Sequence, residues 1–144
     1  MLAFFLVASI LAQDADAIGI SPGRKIINFE PGLEEVVKFT VINNEHKDMK
    51  VVLKVEGDDK LEEFVELSAD FAEFKAGEES KEFTYRVSLP QSLGKPGDHQ
   101  VSIIARELAP DVGQEGTYVG ATAAVVSQLI VRVQFPGKHV NFRF

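Results

Sequence analysis

Lys81-Glu82-Phe83-Thr84-Tyr85-Arg86-Val87-Ser88-Leu89 alternates apolar and polar residues without a break. Phe83, Tyr85, Val87 and Leu89 fall on one side of an extended chain, and Glu82, Thr84, Arg86 and Ser88 on the other. A period of two is that of a strand with one face on a core and the other in water. The same pattern recurs on both sides of this stretch. Before it stand Lys25–Phe29, then Glu35–Asn43 with Val37, Phe39 and Val41 in phase, Lys50–Glu56 with Val51, Leu53 and Val55, and Phe64–Ser68 with Val65 and Leu67. After it stand Gln100–Leu108 with Val101, Ile103 and Ala105, and Ala123–Phe135 with Val125, Leu129, Val131, Val133 and Phe135.

Turn formers separate these segments: Glu30-Pro31-Gly32, Asn43-Asn44, Gly57-Asp58-Asp59, Ala76-Gly77-Glu78-Glu79 and Lys95-Pro96-Gly97-Asp98. The intervals are too short and too polar for the crossover helices that a parallel sheet needs. The pattern therefore predicts an all-β fold, an antiparallel β-sandwich of about seven strands.

At 144 residues the chain suits one domain. All 15 Lys and Arg lie beyond residue 17, and only Asp14 and Asp16 of the 22 carboxylates lie before it, so the net charge of −7 falls to −5 without that segment. An acidic chain with no basic cluster larger than Arg24-Lys25 is not built for nucleic acid, which requires a concentrated cationic face. With no cysteine, disulfides, thiolate nucleophiles and Cys-based metal sites are excluded.

The first seventeen residues differ in kind. Leu2 to Ala12 is an apolar or small-residue run, too short to span a bilayer, which takes about 20 residues. Gln13-Asp14-Ala15-Asp16-Ala17 follows, and Ala15-x-Ala17 fits the small-residue pattern at which secretory leaders are cut. The expectation is a helical signal peptide over residues 1–17, cleaved to expose Ile18, and a protein that works outside the cytosol. The absence of Lys or Arg before the run departs from the usual leader. Membrane contact would come only through that segment, uncleaved, or through an anchor beyond residue 144. The sandwich is expected over residues 18–136. In 137–144, Val140, Phe142 and Phe144 renew the alternation, as the start of a further strand or of a second domain cut short.

With the strands placed, Ser21-Pro22, Phe29-x-Pro31-Gly32, Phe39-x-Val41-x-Asn43-Asn44, Gly77-Glu78 and Leu89-Pro90 resemble the PapD-like and fibronectin type III-like subset of immunoglobulin folds. These are modules of cell-envelope proteins, archaeal surface proteins among them. The resemblance implies a non-enzymatic module without cofactor, a spacer or protein-interaction unit whose partners are proteins or neighbouring domains. Its alternative form is a strand-donating periplasmic chaperone. Pilus chaperones of this kind hold a client's C-terminal carboxylate with one basic residue on the first strand and another on the last. The matching positions here are Arg24 or Lys25 and Arg132. Of a second chaperone domain this sequence holds only the few residues after Pro136.

Other motifs dissolve on inspection. Gly19-Ile20-Ser21-Pro22-Gly23 fits the nucleophile-elbow pattern G-x-S-x-G, but Pro22 lacks the N–H that an oxyanion hole needs after the nucleophile, and no helix pattern follows. His46, His99 and His139 lie in or near turns without a metal-ligand spacing and are expected at the surface. Asp58, Asp59, Glu62 and Glu63 lack the spacing of a calcium loop and read as a solvated acidic turn. Gly113, Gly116 and Gly120 lie in the longest stretch without alternation, 109–122, and have no following helix to cradle phosphate. That loop, with Tyr118, joins Arg24, Lys25 and Arg132 as a candidate for partner contact.

Overall fold

A computed structural model describes residues 18–108 and 123–135. The leader with Ala15 and Ala17, the 109–122 loop with Tyr118, and the 136–144 tail lie outside the described residues. The strands are β1 (Gly19–Ser21), β2 (Arg24–Asn28), β3 (Glu34–Ile42), β4 (Met49–Gly57), β5 (Val65–Leu67), β6 (Phe71–Phe74), β7 (Ser80–Ser88), β8 (Gly97–Glu107) and β9 (Ala124–Val133), with a 3-10 turn at Asp58–Phe64. They form two sheets, one ordered β1-β3-β7-β5 and the other β2-β9-β8-β4-β6. All seven expected segments are strands, with ends displaced by a few residues at most.

Two features of the expectation are corrected. Nine strands stand among the described residues where about seven were read: β1 and β6, three and four residues long, were missed, whereas β5, as short as β1, lies in the stretch Phe64–Ser68 where Val65 and Leu67 alternate with polar residues. The sandwich is also not wholly antiparallel, since β2 runs parallel to β9. The reason is a change of sheet. β1 pairs with β3 in the first sheet, the chain crosses at Pro22-Gly23, and β2 joins the second sheet beside β9. No hairpin connects β2 to β9, so their direction is free of the antiparallel rule that short turns impose.

The inward positions are those the alternation marks. Val37, Phe39 and Val41 of β3 and Tyr85 and Val87 of β7 meet Val51 and Leu53 of β4, Val101, Ile103 and Ala105 of β8, and Leu129 and Val131 of β9 in one buried core. Phe39 lies opposite Phe83 across the β3–β7 ladder, their rings stacked at 5.6 Å, and Tyr85 stands 5.9 Å from Phe39. Aromatic pairs in these arrangements add roughly 0.5–1.5 kcal/mol to the burial of their surfaces.

β9 departs from the expected pattern at two inward positions. Ser127 is buried in phase with Val125 and Leu129, and its hydroxyl donates to the Pro22 carbonyl at 2.6 Å, tying the strand to the sheet crossing. Phe135, expected on the inner face, is 57% exposed, because the β8–β9 ladder ends at the pair Gly97–Val133 and the chain leaves the sheet. In the Glu30–Leu33 turn, Gly32 takes φ +70°, the left-handed region open to glycine at little cost. At the end of β3, buried Asn43 gives its side-chain amide to the carbonyls of Lys47 and Glu78, joining two turns.

Candidate functional site

β9 is ten residues long, and its two sides are unequally covered. On one side β8 pairs with it throughout, from Ala124 opposite Arg106 to Val133 opposite Gly97. On the other side β2 pairs only from Gln128 to Arg132. The Gln128 amide donates to Gly23 at 2.9 Å, and the Arg132 carbonyl accepts from Phe29 at 2.8 Å, so alternate residues in phase with these two turn their backbone groups toward β2. Ala124 and Val126 share that phase. Among the described residues, no strand lies beside them on that side.

The side chains of this bare stretch carry no charge. Ala124 and Val126 are exposed, Val125 is half-buried and Ser127 is buried. Open strand edges are usually blunted by charge, proline or a bulge, because unpaired N–H and C=O groups invite another strand. Sequence reasoning placed this strand but not its open half, since pairing partners are a tertiary property. A faint signal existed: β3, β4, β7 and β8 each have a charge among the outward residues at their N-terminal end (Glu34, Lys50, Glu82 and Asp98), and β9 has Ala124 and Val126 there instead.

The structure separates the basic residues expected to converge. Arg24 lies opposite Gln128 and Arg132 opposite Asn28 in the same parallel ladder. Four residues along a strand amount to about 13 Å. Each side chain also has a local acceptor. Arg24 donates from Nε and Nη2 to Gln128 Oε1 at 3.3 and 3.2 Å, and Arg132 Nε donates to Asp98 Oδ1 at 3.0 Å. Asp98 thereby raises the proton affinity of the Arg132 guanidinium. Lys25 points inward instead and reaches Glu35 of the other sheet at 3.9 Å. Ile18, the expected mature N-terminal residue, is buried.

The other motifs take structural positions. Ser21 ends β1 and leads through Pro22 into β2, so it sits on no strand-to-helix elbow. His46 is exposed, but His99 is not the surface residue expected. It occupies an inward position on β8, 6% exposed, with Nε2 2.6 Å from the Lys95 carbonyl. It borders a cavity of about 300 Å³ with Leu61, Phe64, Pro90, Leu93 and Lys95. Asp58 accepts from the Gln100 amide at 3.2 Å and so ties the start of the 3-10 turn to β8. Among the described residues no group of three His, Asp or Glu side chains is placed to hold a metal ion, and no helix is long and apolar enough to cross a membrane.

A two-sheet sandwich whose first strand changes sheets and then runs parallel to the last is an immunoglobulin-like fold of the PapD-like kind. Among solved structures, the chain is similar to the periplasmic chaperone SfaE, with a TM-score of 0.54 and 13% identity over 82% of this chain and 58% of that one. It is similar to PapD-like domain 7 of human CEP192, with a TM-score of 0.57 and 14% identity over 92% of this chain and 96% of that one. A third similar structure is the chaperone–tip subunit pre-assembly complex CsuC–CsuE of Acinetobacter baumannii, with a TM-score of 0.51 and 18% identity over 81% of this chain and 52% of that one. The chain spans little more than half the length of the matched chaperone chains and nearly all of the CEP192 domain. No protein-family model matches the chain, and no curated protein matches it.

Proposed function

We propose that this chain is a non-catalytic protein-interaction module of the cell envelope or exterior, which takes an extended segment of a partner, or of a neighbouring domain, along the open half of β9. The observation that carries this is the uncovered, uncharged Ala124–Ser127 edge of a strand whose other half is paired on both sides. Adding a strand there would satisfy backbone groups that otherwise depend on water, while alternate side chains of the guest give specificity. Extracytoplasmic placement is supported by the apolar run ending at Ala15-x-Ala17.

The general module stands before the strand-donating chaperone in this proposal. A chaperone clamp needs two cations converging on one carboxylate, whereas Arg24 and Arg132 lie four residues apart in register and each holds a side-chain acceptor. A chaperone would bind unfolded client peptides and lose them on Arg132→Glu, while a spacer would bind none.

Amide hydrogen exchange tests the edge without knowledge of the partner. In the purified protein the Ala124 and Val126 amides are expected to exchange far faster than those of Leu129 and Val131. Protection of all four to the same degree would mean that the edge is already covered, and the proposal would fail. Export is tested by N-terminal sequencing of the secreted protein, expected to begin at Ile18; another start overturns the cleavage site.

A further inference from the structure

The outer face of the five-stranded sheet joins two features that seldom share a surface. It carries a diagonal, interrupted apolar stripe: Phe71 of β6 and Val52 of β4 are direct neighbours, the pair Ile104 of β8 and Val126 of β9 lies one step along the strands, and beyond Gln128 the pair Ile130 of β9 and Ile26 of β2 ends it. Phe71, Val126 and Ile26 are 45%, 42% and 46% exposed. Four strand spacings across, with a six-residue offset along β9 between Ala124 and Ile130, place the ends of the stripe about 28 Å apart, the reach of about eight extended residues.

The same face is cationic on an acidic protein. Its outward positions hold Arg24, Lys50, Lys54, Arg106 and Arg132 against Glu56, Glu73 and Asp98. All three carboxylates are engaged, Glu56 with Lys54 at 2.9 Å, Glu73 with Lys75 at 3.3 Å and Asp98 with Arg132 at 3.0 Å. Lys50 and Arg106 form no ion pair among the described residues, and Arg24 meets only the neutral Gln128. These three cations flank the stripe. Arg106 lies opposite Val52 and Ala124, Arg24 lies beside Gln128 between Val126 and Ile130, and Lys50 lies opposite Glu73 and diagonal to Phe71.

We infer that this face docks an extended polypeptide segment that carries both apolar residues and carboxylates at every second position, on the one side of the chain that faces the sheet. The apolar side chains would lie along the Phe71–Ile26 stripe, and the carboxylates would meet Arg106, Arg24 and Lys50. Charge complementarity selects the occupant. A neutral apolar segment would leave the cations unanswered, and a basic one would be repelled. A flat sheet face with cations at strand spacing suits a chain laid across it more than a lipid surface, which favours apolar groups that protrude beyond the charges. The inference stands apart from strand addition at β9, since side chains rather than backbone groups make the contact.

The test uses a fluorescein-labelled decapeptide with Glu and Leu taking turns at the odd positions and Ser at every even one (the Glu–Leu peptide), so that both types face the same side, with counterparts carrying Lys for Glu (Lys–Leu) and Ser for Leu (Glu–Ser) as controls, titrated by anisotropy against the full chain. Binding of the Glu–Leu peptide alone is expected, weakened at least tenfold by Arg24→Glu with Arg106→Glu and by raising salt from 50 to 500 mM. Circular dichroism of the double variant should match the parent, since both residues are exposed. A Glu–Leu peptide N-methylated on alternate amides should still bind, which separates docking on the face from pairing with β9. Equal affinity for Lys–Leu, an unchanged affinity in the double variant, or loss of binding on N-methylation alone would overturn the proposal. So would cosedimentation with phosphatidylserine vesicles, abolished by the double variant, in a protein that ignores the Glu–Leu peptide.

Discussion

Among the described residues, β3 and β9 are left half-covered by the two segments that open the sandwich, and the chemistry of their open halves differs. β1 pairs with β3 only from Thr40 to Ile42, leaving the Glu34–Phe39 half of that edge open, much as β2 leaves Ala124–Ser127 of β9. Both openings follow from one event, the crossing of the first strand between sheets at Pro22-Gly23, which divides a single edge-covering segment between two clients. On β3 the open half presents Glu34 and Lys38 outward, and Lys25 leans across to Glu35 at 3.9 Å. Charged side chains beside an unpaired ladder discourage another strand, because pairing would desolvate them. The open half of β9 has no such guard. Two edges left open by the same crossing thus differ in what they admit, and only one is suited to a partner.

Exchanging the chemistry of the two edges should have the largest effect. Val126→Lys puts a charge on the open half of β9 and should weaken binding of an extended partner at least tenfold, with a melting temperature within about 2 °C of the parent because Val126 is 42% exposed. The reverse change, Glu34→Thr with Lys38→Thr, removes the guard from β3 and should promote self-association in sedimentation velocity. A variant that stays as monomeric as the parent at the same concentration would show that the guard lies elsewhere, with Lys25 and Glu35 the next pair to neutralise.

Where each covered half ends, a buried polar side chain holds the chain in place. Asn43, 1% exposed, follows the covered end of β3 and donates to Lys47 and Glu78 carbonyls at 2.8 and 3.2 Å. Asn43→Ala should cost about 2–3 kcal/mol in denaturant unfolding, the expected range when buried backbone acceptors lose their donors. Ser127 holds the same place on β9 with one bond to Pro22, so Ser127→Ala should cost less, about 1 kcal/mol. It should also extend the open edge, seen as faster exchange of the Gln128 amide, whose acceptor is Gly23. If stability falls while that amide stays protected, the hydroxyl supports the core and does not set the boundary of the edge.

The sandwich was legible because burial of one face imposes a period of two, and seven of the described strands display it, three-residue β5 among them. β6 escaped because Phe71-Ala72-Glu73-Phe74 holds only two inward residues, Ala72 and Phe74. His99 was misplaced because its neighbours Pro96, Gly97 and Asp98 are turn formers, while β8 in fact begins at Gly97, with φ +104°. The open edge could not be read, since which strand lies beside which depends on the path of the chain between sheets. The basic residues were identified by type, yet their separation is a matter of register, invisible until β2 and β9 are paired.

The smallest effect concerns Tyr85, beneath the open half of β3, where it lies opposite Val37. Its ring is buried at 1% exposure, and its hydroxyl has no hydrogen-bond partner among the described residues. Burial first, and the nearby Glu35 charge second, push its pKa up to about 12. The folded state thus holds the phenolic proton more tightly than the unfolded chain, whose tyrosine ionises near 10. The resulting stability is fully present below pH 10 and is lost as the pH rises toward about 12, at no more than about 1.4 kcal/mol per pH unit. Tyr85→Phe removes both the unpartnered hydroxyl and this alkaline loss, so stability at pH 7 should be unchanged or higher by less than about 1 kcal/mol. With Tyr118→Phe as background, Tyr85 is the sole phenol, and its absorbance titration should be late and coupled to unfolding. A Tyr85→Phe variant destabilised by more than about 1 kcal/mol would show that the hydroxyl has an acceptor, such as a buried water at the Glu35 end of the core.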